Sequence, residues 1–357
     1  SERLNKFLGL EDLWILFSGF SRRYGSLLNT CTFKETEAIG VLSRVIEETE
    51  KTLIISSAGN AAKAFLEYGT QIKKKIIVII PENALKEIKI ISKPQNVSPL
   101  LICIKESAYM DAIRLVNKMI ERFPNDLVRE GGCYNVARRD SMAVPFLRAA
   151  IKMHSIPDRY VQAVGSGTGA LAAWEASKRL ISIPSIEKRS MKLHLIQNYP
   201  FQPIVDAWNR NSKSIRKIKD SEVYKLLSET KAKVLSNTNP PYSISGGLYD
   251  ALKESKGETT AVNNNEIENS RNLAMDILDL DLCSPASAAL AGLVKSVKEK
   301  KIDKNEKILL HLTGGGTSEI RKEKNLINYP YFKKIDLNDF KKAELLIKEY
   351  LINNKNE

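Results

Sequence analysis

"RYVQAVGSGTGALAAWEASKRLI", residues 159–181, changes its hydrophobic period halfway along. Its opening is an apolar run of strand length, and its close repeats apolar residues at helical spacing. Between them "GSGTG" (165–169) supplies three glycines and two hydroxyls. A strand that enters a helix through so tight a turn reads as half of a βαβ unit, which predicts a parallel sheet.

The pattern recurs on both sides. "TLIISSAG" (52–59) is a β-rich run followed by a helical period in "NAAKAFLEYG". "KIIVIIPE" (75–82) and "PLLICIK" (99–105) are continuous apolar runs, as strands buried on both faces should be. "SAYMDAIRLVNKMIERF" (107–123) puts Ala112, Leu115, Val116 and Met119 on one helical face, with Ser107 expected as N-cap. "MKLHLIQN" (191–198) and "KILLHLTGG" (307–315) read as further strands, and "SPASAALAGLVKSVKEK" (284–300) as a helix with Pro in its first turn. The expected fold class is α/β, with open, mainly parallel twisted sheets flanked by helices. A chain of 357 residues predicts about two domains, with a break expected near residue 155.

Apolar residues make up 43% and charged residues 27% of the chain, the balance of an ordinary globular protein. No apolar run reaches the roughly 20 residues that a membrane helix needs, so no membrane partner is expected. The opening "SERLNKFLGL" lacks the layout of a signal peptide, and Cys31, Cys103, Cys133 and Cys283 form no CxxC pair. Both observations favour a reducing, cytoplasmic setting. His154, His194 and His311 have no ligand spacing, and no metal is expected. The formal charge of +13 suits either a nucleic acid or a small dianionic substrate. Its basic clusters ("IKKKI", "KSIRKIKD", "KEKKIDKNEK") carry no interleaved aromatics for stacking, which argues against nucleic acid.

Three loops at strand ends hold the candidate chemistry, because ligands of open parallel sheets bind beyond the carboxyl ends of the strands. "SSAGN" (56–60) exposes small residues before a helix and suits an anion. "GSGTG" suits a phosphate, through Gly165, Ser166, Gly167, Thr168 and Gly169. "TGGG" (313–316) closes the last strong strand. Any one such loop is often only a tight connection. "GSGTGA" also fits a dinucleotide fingerprint, but the next strand ends with Gln197 and Asn198 where a ribose-binding carboxylate is wanted. A nicotinamide oxidoreductase and a basic nucleic-acid binder are therefore the weaker alternatives. Pyridoxal phosphate needs a lysine amine, a phosphate cradle, a partner for its ring oxygen and one for its ring nitrogen. Lys34, residues 165–169, Asn60 and Thr313 are the residues expected to supply these, in that order.

"TFKE", "SSAGN", "VGSGTG" and "LTGGG" resemble the corresponding segments of the tryptophan-synthase-β (fold type II) pyridoxal phosphate enzymes, in the threonine synthase branch. "FSGFSRRYGSLLNTCTFKETEA", "EGGCYNVARRDSM", "LHLIQNYPFQPIVDAW" and "NPPYSISGGLYDAL" are similar to the archaeal-type cysteate synthases, from about residue 10 to 320. Two features depart from the branch: the quoted chain lacks its Cys-rich amino-terminal extension, and Glu35-Thr36 stand where relatives usually carry Asp and an apolar residue or Arg.

The resemblance implies a transferase or lyase that replaces the phosphate of O-phospho-L-serine with sulfite, giving L-cysteate. Threonine synthase-like chemistry and phosphoserine-dependent cysteine synthesis remain alternatives within the class. It implies two domains with the cofactor between them, residues 1–50 plus 156–357 forming the larger and 51–155 a smaller closing domain. Lys34 is implied as the cofactor lysine and general base. Ser57, Ala58 and Asn60 are implied as donors to the substrate carboxylate, and Asn60 also as partner of the ring hydroxyl. Asn135, Arg138 and Arg139 match the substrate-phosphate segment, and Arg22 and Arg23 are a second arginine pair. For each arginine a surface ion pair is the competing reading. The expected partners are a small anionic amino acid and sulfite, in a homo-oligomer.

Overall fold

The continuous apolar runs all become strands. The computed structural model describes residues 2–57, 59–94 and 98–353. The chain divides into two compact units, Ser1–Phe33 with Met142–Ile320 and Lys34–Ser141 with Arg321–Glu357.

The first unit is built on a five-stranded parallel sheet in the order Asp12–Phe17, Lys307–Leu312, Arg159–Ala163, Lys192–Asn198, Glu258–Val262. Val161, Ile196, Ile308 and Leu310 of its strands pack in one core with Ala288, Leu290 and Leu293 of the helix Ser284–Lys298. That helix has Pro285 in its first turn, as its sequence predicts.

The second unit has its own five-stranded parallel sheet, ordered Phe332–Ile335, Leu100–Ile104, Ile76–Pro81, Thr52–Ser56, Leu127–Arg129. Its alternating residues feed two separate cores. Leu53, Ile55, Val78, Ile80 and Leu101 join one, while Ile54, Ile77, Ile79, Ile102 and Ile104 join the other. Burial on both faces is why these strands read as unbroken apolar runs. Each such side chain contributes about 1.5–3 kcal/mol.

This partition differs from a split at residues 50 and 155. The second unit takes in the helix Lys34–Glu48, whose Ala38, Val41 and Leu42 pack with Phe65 and Leu66 of the helix Asn60–Gln71. It also takes in the C-terminal strand, paired in register Phe332↔Leu101 to Ile335↔Ile104. One expected cap is corrected: the helix Tyr109–Arg122 has Ala108 as N-cap, and the Ser107 hydroxyl donates instead to the Ile104 carbonyl at 2.8 Å.

Candidate functional site

In the first unit, the strand Arg159–Ala163 runs through residues 164–167 into the helix Thr168–Leu180. Gly167 takes a left-handed φ of 79° as the N-cap residue, a conformation that L side chains rarely adopt. A Cβ on Gly165 would lie 2.8 Å from the Leu235 carbonyl oxygen, and one on Gly169 2.9 Å from Gln162 Nε2. Ser166 Oγ and Thr168 Oγ1 stand 2.9 Å apart, and the Ser166 hydroxyl also accepts from Thr168 N at 3.4 Å. A glycine cradle with two hydroxyls at the start of a helix fits a phosphate.

Thr313 lies at the carboxyl end of the strand Lys307–Leu312, is buried, and accepts from Phe33 N at 3.1 Å through its carbonyl. The three following glycines are wedged between neighbours. Gly315 N donates to the Cys31 carbonyl at 3.0 Å, Gly316 N donates to that of Asp281 at 2.7 Å, and Gly314 bridges Thr32. A Cβ on Gly316 would meet the Phe20 carbonyl oxygen at 1.7 Å. This loop thus fixes the segment that leads to Phe33.

Lys34 begins the helix Lys34–Glu48 in the second unit. Its Nζ lies 2.5 Å from Glu37 Oε2, one turn along the same face, and its side chain is 19% exposed. Burial pushes the Lys34 amine below its ordinary range and Arg138 pushes the same way, while Glu37 pulls it back up. Glu37 is fully buried. Burial would raise its carboxyl, yet Arg138 and Lys34 hold it below the usual carboxylate range. Arg138 Nη2 stands 3.2 Å from Glu37 Oε1, an ion-pair distance without hydrogen-bond alignment. Arg138 Nη1 donates to Glu130 Oε2 at 2.7 Å. Tyr109 joins this cluster, its hydroxyl pushed up by burial against the influence of Arg138.

In "SSAGN", Ser57 is buried and its Oγ accepts from Gly59 N at 3.1 Å and Ala62 N at 2.9 Å, tying down the start of the helix Asn60–Gln71. Asn60 is the first residue of that helix, and Ala58 lies outside the described residues. The buried carboxylate of Glu35 accepts from the Tyr68 hydroxyl at 2.5 Å, linking the Lys34 helix to the Asn60 helix. Glu35 therefore fills a packing role within this unit.

The arginines separate by environment. Arg138 is 12% exposed and committed to two carboxylates. Asn135 braces it: its Oδ1 accepts from Arg138 N at 3.2 Å, and its Nδ2 donates to the Glu130 carbonyl at 2.6 Å. Arg139 is half-buried. Arg22 and Arg23 sit exposed in the turn between the short strands Phe20–Ser21 and Ser26–Leu27, and Arg23 pairs with Asp279 at 3.1 Å.

The sequence reading passed over Glu37, Glu130, Tyr109 and a buried chain in the first unit. In that chain Ser18 Oγ donates to His311 Nε2 at 2.9 Å, His311 Nδ1–H to the Tyr160 hydroxyl at 2.7 Å, and the hydroxyl to Gln162 Oε1 at 2.9 Å. This direction is assigned from the Tyr160–Gln162 bond, which fixes the tautomer. Only Glu37 had a sequence signal, its three-residue offset from Lys34.

A family model described as "Pyridoxal-phosphate dependent enzyme" matches residues 4–314, and the chain belongs to that family. It is 38% identical over 347 residues to a cysteate synthase from Methanoregula boonei, covering 97% of this chain and 80% of that protein. It is 36% identical over 324 residues to a cysteate synthase from Methanosarcina acetivorans, covering 90% and 77%. Among solved structures, serine racemase from Dictyostelium discoideum superposes with a TM-score of 0.64 at 17% identity, over 88% of this chain and 90% of that one. Maize serine racemase gives 0.66 at 13%, over 90% and 89%. These two likenesses concern the fold. The cofactor is pyridoxal phosphate, and the glycine cradle and the largely covered amine of Lys34 fit it.

Proposed function

We propose that this enzyme makes L-cysteate, replacing the phosphate of O-phospho-L-serine with sulfite. The observation that carries this reading is 36–38% identity to cysteate synthases over most of the chain, with Lys34 and the glycine loop inside residues 4–314 matched by the family model. Bound pyridoxal phosphate supplies an electron sink that acidifies the substrate Cα–H and lets the β-substituent leave.

Lys34 carries the cofactor and, once freed, takes the Cα proton. Burial favours that task, since a neutral amine is the form that accepts a proton. Gly165, Ser166, Gly167, Thr168 and Gly169 hold the cofactor phosphate through backbone N–H groups and hydroxyls. Asn60 meets the ring hydroxyl and Thr313 the ring nitrogen. Ser57 and Asn60 hold the substrate carboxylate. The Ser57 hydroxyl keeps its own proton for this, because both of its observed bonds are accepted ones. Arg138 is committed to Glu130 and Glu37. We assign the substrate phosphate to its neighbour Arg139, in the segment that resembles the substrate-phosphate region, with Arg22 and Arg23 as the remaining candidates. A guanidinium suits a departing phosphate because its fork binds two oxygens at once. Substrate-closing motion of the second unit, a homo-oligomeric assembly and a cytoplasmic location complete the reading. No helix among the described residues is long and apolar enough to cross a membrane.

Incubation with O-phospho-L-serine and either sulfite or sulfide, with phosphate release and product mass as readouts, tests it. Cysteate with sulfite is the expected product. Cysteine formed efficiently from sulfide, with sulfite inert, would replace this reading with cysteine synthesis.

A further inference from the structure

Glu37 is a fully buried carboxylate that the reaction, as described, does not use. On an exposed helix a Lys–Glu pair three residues apart adds only about 0.2–0.5 kcal/mol. A carboxylate taken wholly out of water is a different matter, tolerated only when cations compensate it. Here two do: Lys34 of the helix Lys34–Glu48 at 2.5 Å from Oε2, and Arg138 of the helix Val136–Met153 at 3.2 Å from Oε1. The other charged group of the cluster, Glu130, is held on Arg138 at 2.7 Å, and Tyr109 adds a neutral hydroxyl.

We propose that Glu37 is the positioning residue for Lys34, holding the lysine amine at a fixed place whenever that amine is not covalently engaged, with Arg138 as its standing counter-charge. The inference rests on the reading of Lys34 as the cofactor lysine. A lysine side chain has four rotatable bonds and wanders when released. A buried acceptor one turn along its own helix confines the freed amine to a short arc. When the neutral amine takes up the Cα proton, the ammonium formed donates to Glu37 Oε2. The proton stays on nitrogen, and the carboxylate stays ionised because Arg138 never leaves it. Before the amine re-engages it returns that proton to Cα of the product, and Glu37 then retains Arg138 alone.

The test uses full-length protein stripped of cofactor. Trace acetylation across a pH series, read by mass spectrometry on the Lys34 peptide, gives the midpoint at which the amine becomes reactive. Glu37→Gln keeps the shape and removes the charge that favours the ammonium, so the midpoint should fall by about one pH unit or more. That is roughly tenfold faster labelling at a fixed pH below it. Glu37→Asp should restore part of the shift, which a merely space-filling role would not do. If Glu37→Gln fails to fold, Glu37→Asp carries the test alone, since the shorter carboxylate draws back from the amine and should lower the midpoint by a smaller step. A folded variant with an unmoved midpoint overturns the proposal. Borohydride trapping on the loaded wild type separates the two readings, because cofactor mass found away from the Lys34 peptide refutes the cofactor lysine and leaves the labelling result standing.

Discussion

A Cβ placed on Gly167 falls 2.5 Å from Leu248 Cδ2. The same residue holds a φ of 79°. Leucine's far methyl has some room to shift, but the backbone does not. Gly167→Val therefore meets conformational strain of about 1–3 kcal/mol before any clash is counted. The expected result is a folded protein with sharply weakened cofactor retention, measured as pyridoxal phosphate released on gel filtration. Full retention would place the cradle elsewhere.

Arg138 and Arg139 are neighbours in sequence with opposite expected phenotypes. Arg139→Ala should lower kcat/KM for phosphoserine by on the order of 2–4 kcal/mol in transition-state terms, with cofactor content unchanged. Arg138→Ala strands the buried carboxylates of Glu37 and Glu130 and should destabilise by about 3–5 kcal/mol. Kinetics and thermal melts on the pair distinguish them. Near-normal kcat/KM in Arg139→Ala would move the assignment to Arg22 or Arg23.

The strands that were legible in the sequence are the three inner ones of each sheet. The four edge strands of the five-stranded sheets, Asp12–Phe17, Glu258–Val262, Leu127–Arg129 and Phe332–Ile335, escaped, as did two-residue strands such as Phe20–Ser21. Inner strands are covered on both faces and read as apolar runs, whereas Phe332–Ile335 buries only Ile335. The site divides in the same way. Glycine loops announce themselves because few other residues tolerate their geometry. Glu130 and Arg138, eight positions apart, meet only because a turn at residues 131–135 brings the chain back, and no periodicity encodes that.

Acid should weaken the fold through two histidines. Burial pushes His311 down to about 3, and burial with Arg159 nearby pushes His194 down to about 3. Unfolded, each takes a proton near its ordinary value of 6.5. Between those values the unfolded chain binds more protons, so stability is complete above 6.5 and declines as pH falls. The slope reaches about 1.4 kcal/mol per pH unit for each histidine. Urea unfolding midpoints between about pH 7 and 5 should drop accordingly, and His311→Gln should flatten the decline by about half. A wild-type midpoint that stays level over this range contradicts the assignment.

Tyr68→Phe removes the hydrogen bond to the Glu35 carboxylate. A loss of about 1.5–3 kcal/mol is expected from a buried bond to such a group. Because the bond links the helices that begin at Lys34 and Asn60, hydrogen exchange should quicken in both helices. Exchange unchanged in the Asn60 helix would show that the link does not couple them.

The strand Phe332–Ile335 closes the open side of Leu100–Ile104, and Ala343 and Ile347 of the helix Phe340–Asn353 fill the core beneath. On the ribosome, the sheet begun at Thr52 therefore stands with one edge bare until residue 332 and its strand are made. A bare parallel edge recruits any extended segment it meets. For this protein the hazardous interval of biosynthesis lasts until the helix Phe340–Asn353 clears the exit tunnel, so a nascent chain stalled just before residue 332 should be the one that chaperones hold.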